Sequence, residues 1–366
     1  MIVSNVGVTM LLVLLLSLSS FKGMVKSVAA LVPPTTRTTT TTNAFEPRMI
    51  RGKRCLVVEP PTLENQESSY PPLVLLGGMA QSLESWTPHL SALSRNRKVV
   101  VYECIGQGKS SSSSSDSNLD LTNVTLPYQA EQLLDVIEEL VEEDGDNHNP
   151  AAVVPSSMVD LVGFSLGGRV GMAAACLRPE RFHKLYLTGV ASDRSQYGRL
   201  AIRAWKDAIE SDPSLRSFAW SVLLATYNSS FLCNTNIERY IDHICRTNTP
   251  EGLLALLQQA EVSDSNDHWH VTQMADRLAL LVEDGSNGDD KTTTTTTRMT
   301  TIQGKLCIGE QDWMAPVESA RELSLRLGWD EPTVIPECGH AVATEAPRAW
   351  RKDVLSFLNE PVTPPP

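Results

Sequence analysis

Short apolar runs alternate with longer amphipathic stretches along most of the chain. Leu56–Val58, Leu73–Leu76 and the β-branched run Val99–Glu103 predict strands, and Met158–Phe164, Lys184–Val190, Ile302–Ile308 and Thr333–Ile335 continue the series. Between them, Glu84–Leu93, Leu166–Leu177 and the closing Ala346–Leu358 carry helical spacing. The clearest helix is Tyr128–Glu143. There Ala130, Leu133, Leu134, Ile137, Leu140 and Val141 recur at the 3.6-residue period, with acids on the opposite face. Continuous apolar strands separated by helices predict an α/β fold, a mostly parallel sheet with helices on both faces.

Two kinds of segment interrupt this rhythm. Residues 194–283 show several helical patterns and no strand, which predicts a helical cap inserted between two strands of the sheet. The tracts Thr38–Thr42, Ser110–Ser115 and Thr292–Thr297 cannot bury enough apolar surface to offset their ordering entropy, so they read as loop or disorder. The organisation expected is then a disordered targeting leader over 1–54, a core over 55–193, the cap over 194–283, a Thr-rich disordered insertion over 284–301, and the rest of the core over 302–360.

The leader stands apart in charge. The chain of 366 residues has a net charge of −12, 42% hydrophobic and 20% charged residues, which excludes a transmembrane bundle and a general nucleic-acid binder. Residues 1–54 hold seven Lys and Arg against the single acid Glu46, a net of +6; the rest holds 24 basic and 42 acidic residues, a net of −18. Val6–Leu18 is almost wholly apolar, but its length is well short of the roughly 30 Å of bilayer hydrocarbon at about 1.5 Å per helical residue. A signal-peptide core fits better, although the first basic residue, Lys22, follows it rather than preceding it, so an uncleaved anchor stays open. Val28-Ala29-Ala30 offers small residues for cleavage, and the acid-poor, Thr-, Pro- and Arg-rich stretch beyond has transit-peptide composition. Together the two pieces resemble the bipartite presequences of algae with complex plastids, with Leu31 or Phe45 at the junction; ordinary secretion is the alternative. Membrane contact is expected only through an uncleaved leader.

Seven cysteines, an odd number with no C-x-x-C, argue against a disulfide framework and for a reducing compartment. Asn123-Val-Thr and Asn228-Ser-Ser are glycosylation sequons that matter only in the secretory path. His268-Trp-His270 and His243-Ile-Cys245 have no further ligands clustered nearby in sequence, so no metal is expected.

The chemistry concentrates at Gly163-Phe164-Ser165-Leu166-Gly167. A strand that turns into a helix within so few residues forces the central residue into strained backbone geometry, and glycines on either side remove side chains that would collide. The apolar strand before it and the small-residue helix after it supply that context. The serine hydroxyl then stands at a helix start, where backbone N–H groups favour negative charge.

With this motif the chain resembles the α/β-hydrolase superfamily, from about Leu73 to Leu358. The resemblance implies a nucleophile, acid and histidine in that order. Ser165 is the nucleophile; Asp312 in GEQDWMAP, after the strand ending at Ile308, matches the acid loop; His340 in ECGHAVATEAP matches the histidine loop before the last helix. The oxyanion donors implied are the backbone N–H groups of Leu166 and of Met79 in Leu76-Gly77-Gly78-Met79-Ala80, where Gly77 replaces the family's usual histidine. The family's Asp, Arg and His are replaced by Glu103, Ile105 and Gln107, which are mainly structural positions.

The activity implied is cleavage of a carboxylic ester, lactone or thioester through an acyl-enzyme, without metal or cofactor. The partner expected is a small ester-like or lipid-like molecule. Ser94–Tyr102 and Thr249–Gly252 resemble the 3-oxoadipate enol-lactonase group. Val162–Val170 instead resembles the menaquinone-pathway synthase that eliminates pyruvate, where an arginine after the elbow helps with acidic substrate groups; Arg169 stands there, either in that role or as a surface ion-pairing residue. Trp205, Trp220, Phe218, Tyr227 and Phe231 fit either an acyl pocket or ordinary core packing. A ligand receptor on a hydrolase scaffold is a further alternative.

Overall fold

The computed structural model describes residues 46–61, 70–111, 121–145, 157–261, 267–283 and 302–361. The apolar stretch, both cleavage candidates, most of the Thr/Pro/Arg-rich leader, the Thr tracts and the insertion at 284–301 lie outside the described residues, as does all of the Ser tract beyond Ser111.

Eight strands form one sheet: β1 (Pro47–Ile50), β2 (Lys53–Val58), β3 (Leu73–Leu76), β4 (Val99–Tyr102), β5 (Val159–Phe164), β6 (Phe182–Thr188), β7 (Gln303–Gly309) and β8 (Thr333–Ile335). Their order is β1-β2-β4-β3-β5-β6-β7-β8. The pairs β1–β2 and β2–β4 are antiparallel; every other neighbouring pair is parallel. Central strands are apolar on both faces because both are covered. Leu73, Leu75, Val99 and Val101 join the core on one face, with α1 (Thr87–Leu93) and α12 (Pro347–Asn359). Val74, Leu76, Val100 and Tyr102 join the core on the other, with α2 (Leu126–Gly145), α3 (Leu166–Leu177) and α10 (Val317–Leu327).

Between β6 and β7 come α4 (Gln196–Ser211), α5 (Arg216–Thr226), α6 (Ser229–Asn234), α7 (Ile237–Thr247), α8 (Pro250–Glu261) and α9 (Val271–Glu283). The first five share a core of their own, built on Ile202, Trp205, Phe218, Leu223, Ile241 and Leu257. The sixth does not belong with them. Val271, Met274, Ala275 and Leu278 of α9 pack into the sheet core. The cap expected over 194–283 is corrected accordingly: its last helix covers the sheet. The short α11 (Val342–Glu345) precedes α12.

The boundary of the leader is also corrected. Residues 47–54, assigned to a leader without fold, form β1, the turn after it and the start of β2. Their basic side chains are counter-charges for the body. Arg51 pairs with Glu139 and Glu142 on α2 (2.9 and 2.6 Å), Lys53 with Asp135 (2.5 Å), and Arg54 with the fully buried carboxylate of Glu103 (2.8 Å). Part of the charge contrast between leader and body is therefore a set of ion pairs.

At the amino-terminal ends of the strands, buried charges pair off. Arg97 donates to Asp160 on β5 (2.5 Å) and to Asn359 (2.7 Å), and its guanidinium lies 4.5 Å from the centre of the Tyr70 ring. Asp160 also bonds His183 (2.7 Å), and Lys184 donates to the carbonyls of Phe357 and Glu360 (2.9 and 2.5 Å), tying the last helix to β6.

Candidate active site

Ser165 follows β5 and precedes α3 with φ 50° and ψ −111°, a left-handed conformation that costs a non-glycine residue energy. The surroundings hold it there. A Cβ on Gly163 would meet the Cα of Gly168 at 2.5 Å, and one on Gly167 would meet Leu76 Cβ and O at 2.6 Å. The flanking glycines thus let the turn pass against β3 and against itself. Ser165 N–H donates to Thr188 O on β6 (2.8 Å), which fixes the turn to the neighbouring strand.

Asp312 and His340 arrive from the loops after β7 and β8. Ser165 Oγ lies 2.9 Å from His340 Nε2, and His340 Nδ1 lies 2.7 Å from Asp312 Oδ2. With a carboxylate facing Nδ1, that nitrogen carries the proton of the neutral ring, so Nε2 is free to accept from the serine hydroxyl. The other Asp312 oxygen accepts the N–H groups of Met314 and Ala315 (2.9 and 2.8 Å). The carboxylate is thereby fixed in place, with side-chain exposure of 0%.

Met79 and Leu166 line the same cavity as Ser165, and neither backbone N–H has an acceptor among the described residues. The missing loop histidine is compensated locally. The side chain of Gln81 accepts Gly78 N–H (2.8 Å), Gly167 N–H donates to Gly77 O (3.1 Å), and Asn248 from the helical insertion donates to Ala80 O (3.2 Å). The Glu103 position is structural: its carboxylate also receives Leu83 N–H and Ser110 N–H (3.1 and 3.0 Å).

The cavity has a volume of about 800 Å³ and lies between the strand ends and the helical insertion. Arg169, Trp205 and Tyr227 line it; Trp220, Phe218 and Phe231 do not. Trp220 is corrected: it lies on the outer face of α5 with 36% exposure, because helical spacing alone does not say which face of α5 meets the cavity. Arg169 makes no ion pair among the described residues, so it is not the surface ion-pairing side chain its helix position allowed. His243 bonds Ser82 (3.1 Å) and His270 bonds Thr272 (2.8 Å), and among the described residues no group of three or more metal-ligating side chains gathers. The Asn228 sequon side chain caps α6, accepting Ser230 N–H (2.6 Å), and Asn228 is 7% exposed.

Sequence reasoning missed Glu345. Its carboxylate accepts Gly339 N–H (3.1 Å), beside His340, and Asn228 N–H (2.9 Å) from the helical insertion. Burial pushes this carboxyl above its usual range. His340 N–H itself donates to Thr226 O at the end of α5 (2.7 Å). The histidine loop is therefore held by the insertion as well as by the core. The one sequence signal was a glutamate within the stretch that matched the histidine loop.

A model of the alpha/beta hydrolase family matches residues 73–352. The "Putative carbamate hydrolase RutD" of Caulobacter sp. (strain K31) is 22% identical over 289 residues, covering 78% of this chain and 90% of the relative. The "Putative 2-succinyl-6-hydroxy-2,4-cyclohexadiene-1-carboxylate synthase" of Bacillus subtilis (strain 168) is 22% identical over 291 residues, covering 78% and 89%. Among solved structures, the enol-lactonase of Burkholderia xenovorans LB400 aligns with a TM-score of 0.58 at 18% identity, over 86% of this chain and all of that one. MGS-M2, an alpha/beta hydrolase enzyme from a Medee basin deep-sea metagenome library, aligns with a TM-score of 0.61 at 18% identity, over 87% and 99%.

Proposed function

Since the chain belongs to the alpha/beta hydrolase family, we propose that it is a serine hydrolase that cleaves a small carboxylic ester, lactone or thioester through an acyl-enzyme. The observation that carries this reading is the unbroken relay from Ser165 through His340 to Asp312, at 2.9 and 2.7 Å, opening on the cavity. In the reaction proposed, His340 takes the hydroxyl proton as Ser165 attacks the carbonyl, and Asp312 holds the tautomer and stabilises the imidazolium. The N–H groups of Met79 and Leu166 receive the oxyanion, each worth about 10²–10³ in rate by analogy with measured donors. His340 then returns its proton to the leaving group, and water releases the acyl group by the same path. Trp205 and Tyr227 supply the cavity wall.

Hydrolysis of short-chain 4-nitrophenyl esters tests this. Turnover that disappears in Ser165→Ala supports the reading; turnover retained in that variant rejects it. Arg169 in the cavity favours a second reading, elimination on the same residues without an acyl-enzyme, and trapping an acylated Ser165 separates the two. The leader supports delivery to a complex plastid, which localisation of a fluorescent fusion of residues 1–45 tests.

A further inference from the structure

A turn between two helices of the insertion grips both loops that carry the partners of Ser165. It runs from Thr226, the last residue of α5, to Asn228, which precedes α6. Thr226 O accepts the N–H groups of His340 (2.7 Å) and Ala341 (3.3 Å). Asn228 N–H donates to Glu345 Oε2, which also accepts Gly339 N–H. The turn lies hard against the histidine loop: a Cβ on Gly339 would meet Asn228 N and Thr226 O, each at 2.8 Å.

The side chain of Asn228 reaches the other loop. Its Nδ2 donates to Oε1 of Gln311, the residue before Asp312. Its Oδ1 accepts the N–H groups of Ser230 (2.6 Å) and Phe231 (3.4 Å) at the start of α6. A helix start offers donors only, so it takes the amide oxygen and leaves the nitrogen for Gln311. Gln311 N–H in turn donates to Cys338 O (2.8 Å), two residues before His340. A planar amide holds its oxygen and nitrogen at a fixed separation. This one group therefore sets the distance from α6 to the acid loop, while the backbone of the same residue holds the histidine loop.

Helix capping alone does not explain the residue, because serine or aspartate caps as well. Nor does the sequon: a glycan would attach at Nδ2, the atom that holds Gln311, on a residue that is 7% exposed. What the arrangement does explain is how loops from two different strands stay in register. The contact of 2.7 Å between Asp312 and His340 depends on that register, and small misplacements of reacting groups are costly in rate.

We propose that Asn228 is a positioning residue for the reaction: through Gln311 it fixes the acid loop against the histidine loop, so that Asp312 stays in line with His340 Nδ1. Asn228 does not line the cavity, so it acts through these loops and not on the substrate. The inference rests on Ser165, His340 and Asp312 being the catalytic relay.

The test compares the unaltered protein, Asn228→Ser, Gln311→Ala and the double variant on 4-nitrophenyl butyrate. It reads kcat and KM separately, together with the rate of fluorophosphonate labelling. Serine still caps α6 but is too short to reach Gln311. Gln311 is exposed, so truncating it leaves the core alone. Each single variant should lower kcat and the labelling rate about three- to tenfold, the worth of one hydrogen bond. KM should stay within about twofold, since no substrate contact is lost. The double variant should fall no further than the weaker single, because both changes remove the same bond. Parental kcat in the folded single variants overturns the proposal while leaving the serine hydrolase standing. So does a loss confined to KM, or a double variant in which the two losses multiply. If Asn228→Ser does not fold, Gln311→Ala decides alone: a lowered kcat supports the proposal and a parental one overturns it. If the unaltered protein neither turns over ester nor labels, the underlying serine reading fails and this inference falls with it.

Discussion

At the amino-terminal ends of β5 and β6, Asp160 and Lys184 are buried among partners. Asp160 takes Arg97 and His183, Lys184 takes main-chain carbonyls, and Arg97 also reaches Asn359 and the Tyr70 ring. Among these side chains the far nitrogen of His183 lacks a partner within the described residues. At the carboxyl-terminal ends of the same strands, Ser165 is held at φ 50°, and among the described residues the Met79 and Leu166 N–H groups have no acceptor and Arg169 Nε and Trp205 Nε1 are buried without one. Both ends hold an arginine close to β5. Arg97 is consumed by the fold; Arg169 is left for something else to satisfy. A buried polar group is normally paired, so open donors gathered at one end of a sheet mark the place where a ligand completes the set. In open parallel sheets that end is also where strands hand over to loops able to carry chemistry.

Mutations can break this contrast, because changes at one end should cost activity and at the other stability. The largest effect expected is from Ser165→Ala, with ester turnover down by about 10⁴-fold or more and the thermal melting point unchanged. Next comes Asp312→Asn, which keeps the shape but loses the carboxylate that sets the His340 tautomer. Steady-state kinetics should show a loss of about 10⁴-fold in kcat with the fold intact. At the opposite end, Asp160→Ala should leave Arg97 buried and unpaired, lowering stability by about 3–5 kcal/mol in urea unfolding. Activity per folded molecule should stay as before. Replacing both partners, Arg97→Met with Asp160→Leu, should recover part of that loss, since the guanidinium is no longer stranded while His183 still loses its carboxylate. The smallest effect sharpens the contrast within the site end. Glu345→Gln keeps a carbonyl oxygen that can accept both Gly339 and Asn228 N–H, which share Oε2, and should lower kcat less than about tenfold through the loss of charge alone. Glu345→Ala should cost more, and mainly in kcat, because it loosens the loop that carries His340.

The ends of the sheet also differ in how legible they were. Leu73–Leu76, Leu166–Leu177 and Thr333–Ile335 occupy the ranges their patterns predicted, because short apolar runs and helical spacing are local signals. Ser165, Asp312 and His340 could be picked out because each follows a strand, in the family's chain order. Lys53 and Arg54 carried no such signal. Their partners, Asp135 and Glu103, lie 82 and 49 residues away, so a composition count assigned them to the leader. The helix α9 was placed with the insertion because its periodicity reports a buried face and not what covers it. Trp220 failed for the same reason. Arg194 and His270 come from separate segments, and only the folded chain brings them to the cavity that Arg169 lines.

The central claim, that Ser165 is an activated nucleophile, is tested most directly by intact-mass analysis after exposure to a fluorophosphonate probe. A single adduct mapping to the peptide that contains Ser165, absent from Ser165→Ala and strongly slowed in Asp312→Asn, is the result predicted. Folded protein that stays unmodified, or carries its adduct on another residue, would contradict it.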